Sequence, residues 1–304
     1  IKSRDTASAH MLFDSSRGPQ LRIKPDSTSS ETTSEGTVSK FLKGGYAVGD
    51  QTAVNTSGDS LVGWNWVANA GTTASNTNGS ITSTVQVNQT AGFSIVKWTS
   101  TGSNATVGHG LSTAPSFILG KVLTRTDNWI VGHHKQSSTP WNNATFLSVS
   151  DSQYTSAAYW NNTAPTSTVF TTGTWWYSSE NYIAYCWHEV DGFSKFGKYT
   201  GNGSADGPFV YTGFRPAWIM IKNAGATASW FMLDAARNTF NPVENWLVAD
   251  DPQAEVVTSG DRKIDFLSNG FKIRATTTDF NGSSANMIYM AFAEHPFVGD
   301  GTNP

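Results

Sequence analysis

The chain has 304 residues and a net charge of −3, length enough for two or three domains of ordinary size. Only 14% of its residues are charged, against roughly 25% in an average soluble chain, and Ser, Thr, Asn and Gly take up the difference. With a pI near 6.1 and no Lys/Arg cluster, the chain carries no electrostatic footprint for nucleic acid. Aromatics at 12% argue against disorder. No run approaches the ~18 apolar residues of a membrane-spanning helix. The single cysteine, Cys186, excludes an intrachain disulfide and a cysteine-based metal cluster, and it reads as a buried small hydrophobe.

Taken in chain order, almost everything regular reads as β. Residues 1–70 form a first, truncated module with Lys2, the pair Phe41 and Gly45 (a hydrophobic residue followed four later by glycine) and the run Leu61-Val62-Gly63-Trp64-Asn65-Trp66. Residues 71–92 are rich in Thr, Ser and Asn and read as a polar connector holding one strand around Ile81, Val85 and Val87. Residues 93–191 supply Phe117-Ile118-Leu119-Gly120-Lys121, the pair Val169 and Gly173 at the same spacing, and the run Tyr182-Ile183-Ala184-Tyr185-Cys186-Trp187. Residues 192–297 supply Trp218-Ile219-Met220-Ile221-Lys222, Trp230-Phe231-Met232-Leu233-Asp234, the pair Phe266 and Gly270 at that spacing, and Met287-Ile288-Tyr289-Met290-Ala291-Phe292. Residues 298–304 read as a loop-like tail. Asn-Gly and Asp-Gly-Pro turns separate the strands. The helix candidates are short, such as Asp251-Pro252-Gln253-Ala254-Glu255.

These landmarks recur in one order, so the chain reads as one module written three times. Lys2, Lys121 and Lys222 each stand eight residues before a ring: His10, Trp129 and Trp230. Four residues after that ring come Asp14, His133 and Asp234, and three further on Arg17, Gln136 and Arg237. Lys97 to Phe117 matches Lys198 to Trp218 without a gap at an offset of 101. A period of this size is too long for a solenoid and suits a string of small domains. The counterpart of the Pro115 and Pro216 segments is missing from copy 1, so Ile1 falls inside a repeat. Copy 1 reads as truncated and the chain as a piece of something longer. The expected fold is all-β: tandem antiparallel β-sandwiches of jelly-roll or lectin-like type, with a barrel as the alternative.

Phe193-Ser194-Lys195-Phe196-Gly197-Lys198-Tyr199-Thr200, Thr212-Gly213-Phe214-Arg215-Pro216-Ala217-Trp218 and Asp265-Phe266-Leu267-Ser268-Asn269-Gly270-Phe271-Lys272 are fairly specific strings. With Tyr289-Met290-Ala291-Phe292-Ala293-Glu294, the span Gly79–Gly110 and the run from Ser179 to Cys186, they resemble a module of large virion proteins of marine bacteriophages, many infecting cyanobacteria. The resemblance covers nearly the whole chain. It implies a concanavalin-like or SPRY-like sandwich in tail-fibre or other particle proteins, and brings no catalytic residue with it.

An Asp at a strand end, three before an Arg, caps a turn while the Arg pairs with it or with a nearby carbonyl, so Asp14–Arg17 and Asp234–Arg237 read as structural braces. Their replacement by His133 and Gln136 fits the small worth of exposed pairs. Trp141 and Trp160 sit in Asn-rich loops, and Trp175-Trp176-Tyr177 follows Gly173. Exposed indoles among Asn side chains can stack sugars, so these residues, with His133 and His134, form the candidate ligand site; packing of modules is the competing role. Adjacent histidines on a strand face opposite ways, and no zinc motif occurs, so no cofactor is expected. Calcium at loop carboxylates such as Asp206, Asp250, Asp251 and Asp279 is the alternative. Glu189 and Glu294 occupy equivalent positions in different modules, which is unsuited to a glycosidase pair. The expected function is a non-catalytic phage virion protein of fibre, knob or decoration type at the virion surface, an oligomer touching other virion proteins and host-surface glycans. A purely architectural component and a tailspike-like polysaccharide hydrolase are the alternatives.

Overall fold

The structure is a computed structural model, and it describes residues 1–257 and 260–296. The expected 298–304 tail lies outside the described residues. The protein is all-β, built of antiparallel sheets in sandwich arrangement. Copy 1 contains β1 (Lys2–Ser3), β2 (Leu12–Asp14), β3 (Gly18–Ile23), β4 (Thr32–Thr33), β5 (Val38–Leu42), β6 (Gly45–Val48) and β7 (Leu61–Val62). The connector forms β8 (Ala74–Asn76) and β9 (Ser83–Asn88). Copy 2 contains β10 (Phe93–Thr99), β11 (Ala105–Gly108), β12 (Phe117–Val122), β13 (Ile130–His133), β14 (Asn143–Phe146), β15 (Tyr154–Thr155), β16 (Val169–Thr172) and β17 (Asn181–Trp187). Copy 3 contains β18 (Ser194–Thr200), β19 (Phe209–Tyr211), β20 (Pro216–Asn223), β21 (Phe231–Asp234), β22 (Leu247–Val248), β23 (Ile264–Leu267), β24 (Gly270–Ile273) and β25 (Asn286–Ala293).

The strand orders repeat with the sequence. Copy 2 has β14-β13-β12-β17-β10 as the centre of its main sheet and copy 3 has β22-β21-β20-β25-β18. Registers agree to the residue: Lys2 opposes Val62, Lys121 opposes Ile183 and Lys222 opposes Ile288. Each larger copy adds a small outer sheet, β11-β16 in copy 2 and β19-β24-β23 in copy 3. The connector does not merely link copies, because β9 and β8 extend the copy 2 sheet beyond β10. Asp251–Glu255 is not helical; the short helices lie at Thr52–Asn55, Ala157–Trp160 and Thr278–Asn281. No helix among the described residues is long and apolar enough to cross a membrane.

The apolar strands alternate between two cores rather than between core and water. Along β17, Ile183, Tyr185 and Trp187 enter one cluster, while Tyr182, Ala184 and Cys186 enter another shared with the outer sheet. Along β25, Ile288, Met290 and Phe292 enter the first cluster and Met287, Tyr289 and Ala291 a third. The first cluster is common property, drawing Ile23, Trp64 and Trp66 from copy 1, Trp129 and Trp187 from copy 2, and Trp218 and Trp230 from copy 3. At its centre Trp66 lies 6.1 Å from Trp187 and 5.6 Å from Phe292, which hold the same repeat position. The copies are therefore not a string of separate domains. A two-faced sheet has no solvent side, and its inner face is covered only by the other copies.

Unfolding should consequently be one cooperative event. Trp187→Ala should cost about 3–5 kcal/mol and shift a single transition, seen together by far-UV circular dichroism and tryptophan fluorescence in urea. Two separated transitions, with only one displaced, would contradict a shared core.

Candidate functional site

The residues singled out by the repeat meet at the seams between copies, and the seams form a closed cycle. Glu31 N–H donates to Leu123 O at 2.9 Å, Gln153 N–H to Ala224 O at 2.9 Å, and Glu255 N–H to Arg4 O at 2.7 Å. These bonds join copy 1 to 2, 2 to 3 and 3 to 1. Trp129 Nε1–H reaches back to Lys24 O at 2.8 Å and Trp230 Nε1–H to Phe146 O at 2.9 Å. The His10 ring faces the main chain of Val248 and Asp251 in the same way, although its Nε2 stays unpaired. Lys121 and Lys222 are buried and give their ammonium protons to Thr28 O and Ser150 O of the preceding copy, at 2.9 and 2.8 Å. Burial lowers both amines to about 8.

The Asp-x-x-Arg pairs cap their turns and also anchor these seams. Asp14 Oδ1 accepts the Arg17 N–H at 2.9 Å, Asp14 Oδ2 pairs with Arg17 Nε, and Arg17 Nη1 reaches Glu31 at 2.8 Å. Asp234 and Arg237 repeat this at 2.8 and 2.6 Å, with Arg237 Nη1 at 2.7 Å from Glu255. Each aspartate also takes a donor from another copy: Tyr185 O–H to Asp14 Oδ2 at 2.7 Å, and Trp64 Nε1–H to Asp234 Oδ2 at 3.1 Å. Tyr185 and Trp64 occupy one repeat position, where copy 3 has Met290. Met290 offers no such donor, and in the corresponding copy 2 site the aspartate is replaced by His133. Lys135 N–H donates to His133 Nδ1 at 3.0 Å, so the proton of the neutral ring is on Nε2. That Nε2–H donates to Tyr289 O of copy 3 at 3.1 Å. Burial, reinforced by His134, holds His133 down at about 3.

These pairs are buried, not exposed as the sequence reading took them to be: the Asp14, Arg17, Asp234 and Arg237 side chains are 2–5% accessible. A third member escaped the sequence reading. Gln153 stands where copies 1 and 3 have Glu31 and Glu255, and it changes together with Gln136. Loop lengths of different size separate it from the repeat signature, so only the shared backbone bond reveals the equivalence.

The candidate ligand residues lie elsewhere. Trp141, Trp160 and Trp176 are buried in the outer core of copy 2, at 7%, 1% and 0% accessibility, and are no sugar platform. Two strand glycines make the room. A Cβ at Gly132 would stand 2.5 Å from Trp141, and one at Gly120 2.7 Å from Trp176. Polar flanking residues suggested exposure, but the turns carrying them fold the indoles inward. Trp175 is half-buried, and Tyr177 is exposed with Arg125 stacked 3.8 Å from its ring centre. His134 Nε2 contacts Phe196 O across the copy 2–3 seam at 2.6 Å. Trp141, Trp160, Trp176, Trp175 and Tyr177 thus form one chain of ring contacts with centroids 5.5–6.3 Å apart, but as packing in the outer core of copy 2, while His133 and His134 sit at the copy 2–3 seam.

The loop carboxylates proposed for calcium are dispersed as well. Asp206 pairs with Lys272 and Asp279 with Arg262, Asp250 accepts the Trp230 N–H, and Asp251 accepts the Gln253 N–H. Among the described residues no group of three or more His, Cys, Asp or Glu is placed to hold a metal ion. Glu189 of copy 2 pairs with Lys195 of copy 3, and Glu294 pairs with Arg215 within copy 3, so the two carboxylates are engaged at different places.

The fold and seams define an all-β protein of three internally repeated units closed around one core. Residues 1–296 match the family described as a domain of unknown function, DUF7483, and the chain belongs to that family. No curated protein and no solved structure matches it.

Arg237→Gln should leave Asp234 without its counter-ion at a buried seam and cost about 3–5 kcal/mol, read from urea denaturation at pH 7. Acid should loosen the same seams. His10 and His133, held at about 3, stay neutral in the folded chain, while the unfolded chain takes up protons near 6.5. Stability should therefore be full above pH 6.5 and fall as pH drops from there toward 3, by up to about 1.4 kcal/mol per pH unit per histidine. His133→Asn should flatten that fall in denaturation series across this range; an unchanged slope would exclude His133 as a contributor.

Proposed function

We propose that the chain is a non-catalytic structural component of a bacteriophage particle, an appendage of fibre, knob or decoration type exposed on the virion. It works as a rigid body and contacts other particle proteins. The observation that carries this reading is where the chemistry is spent: the buried Asp, Arg, Lys, His and Trp side chains of the repeat hold the copies to one another. The resemblance to phage virion modules supports the same assignment. Host-glycan contact has less support, because Trp141, Trp160 and Trp176 are core residues and Arg125 already covers one face of the Tyr177 ring. The architectural form of the proposal is accordingly preferred to the adhesive one, and the engagement of Glu189 and Glu294 by basic partners gives hydrolysis no support.

Antibody raised against the chain should decorate purified particles of the phage that encodes it in negative-stain micrographs, and its peptides should appear stoichiometrically in their mass spectra. Absence of both would refute the virion assignment. Saturable binding to a glycan array that disappears in Tyr177→Ala would restore the adhesive reading.

A further inference from the structure

The small outer sheets of copies 2 and 3 end differently, and the difference defines an interaction edge. In copy 2 the outermost strand is β11. His109 N–H bonds Thr168 O, so alternate residues Ala105, Val107 and His109 face β16, while Thr106 and Gly108 direct their main chain away from it. The chain's own segment 79–83 covers that free side. Ile81 N–H donates to Thr106 O at 3.0 Å, Thr106 N–H to Ser80 Oγ at 2.9 Å, and Ser83 Oγ to Gly108 O at 2.6 Å. Ile81 bridges Val107 in parallel orientation. The approach is close enough that a Cβ on Gly79 would stand 2.3 Å from Thr106 O.

The counterpart in copy 3 is β19. The repeat offset of 101 places Phe209 at the position of Gly108 and Val210 at that of His109, and Val210 opposes Phe271. Ile273 N–H bonds Pro208 O and Thr212 N–H bonds Asn269 O, so the main chain of Phe209 and Tyr211 points outward. β19 ends its sheet, and among the described residues no strand or bridge pairs with its outer side. Phe209 and Tyr211 are 46% and 65% exposed. An open edge flanked by exposed aromatics is a template for strand addition. The segment that covers β11 is already used there and cannot serve β19.

We propose that the β19 edge receives an extended strand from another protein of the particle. Its chemistry follows from copy 2: a glycine, a hydroxyl residue and a β-branched apolar residue in succession, as in Gly79-Ser80-Ile81. The incoming strand is uncharged. Lys272 is already paired with Asp206 at 2.7 Å and Arg274 with Asp265 at 2.6 Å, so the surrounding charge is balanced. Residues on its outer face pack beside Phe209 and Tyr211, which favours an aliphatic or aromatic side chain there. That the occupant belongs to a particle rests on the proposed function, whereas the open edge and its binding of a strand are read independently of it.

The test uses the intact chain and a fluorescent peptide with the sequence of residues 76–83, followed by anisotropy. Saturable binding is expected. Phe209→Pro removes an outward N–H and leaves the β24 ladder intact, and it should weaken binding roughly tenfold with unchanged thermal unfolding. Methylating the peptide nitrogen at the position of Ile81 should weaken binding to the unaltered protein to a similar degree, so the result does not rest on one variant. Absence of saturable binding, or equal affinity for the methylated peptide, overturns the proposal. Concentration-dependent self-association that vanishes in Phe209→Pro, without peptide binding, would make the occupant a second copy and overturn the separate partner.

Discussion

The whole arrangement depends on strands that are buried on both faces. Residues along β17 and β25 alternate between an outer core belonging to their own copy and an inner core shared with the others. A copy standing alone would expose the inner row of Ile, Met, Trp and Phe to water, at roughly 25 cal/mol for each Å² of apolar surface. Each copy covers the next, and a head-to-tail contact that closes after three leaves no such face uncovered. The seam bonds through Glu31, Gln153 and Glu255 are the backbone record of that closure.

Once the cycle is fixed, the differences between copies become chemically coherent. A buried aspartate is tolerable where a guanidinium pairs with it and a neighbouring copy brings Tyr185 or Trp64 as a further donor. Where the neighbour has Met290, an aspartate would face a main-chain carbonyl, acceptor against acceptor. His133 reverses the polarity, donating from Nε2 and accepting at Nδ1. With the aspartate gone, arginine and glutamate have lost their counter-charge, and glutamines stand at 136 and 153. The divergence of copy 2 is thus a neutral solution to the same seam.

That logic shifts attention from the loops of copy 2 to the periphery. The side chains that look most reactive in isolation (indoles, buried lysines, paired histidines) are committed to packing or to seam bonds. At the outer edge strand β19, open main-chain groups and exposed aromatic residues coincide. A rigid core with binding confined to its edges suits a component that is itself assembled into something larger.

The sequence by itself determined the main apolar strands and the threefold repeat, because each depends on local pattern: period-two apolar runs, turn residues, and a lysine and a ring at fixed spacing. It also marked the Asp-x-x-Arg turns, since a side chain capping its own turn acts over three residues. It did not reveal that the copies share a core, because an apolar row facing another copy reads the same as one facing its own sheet. It misjudged Trp141, Trp160 and Trp176, whose burial depends on the missing Cβ atoms of Gly120 and Gly132, close in space and distant in sequence. Glu31, Gln153 and Glu255 stayed hidden for the same reason. Contacts that close the cycle join residues about 70 to 250 positions apart, and only the tertiary structure decides which acceptor each donor meets.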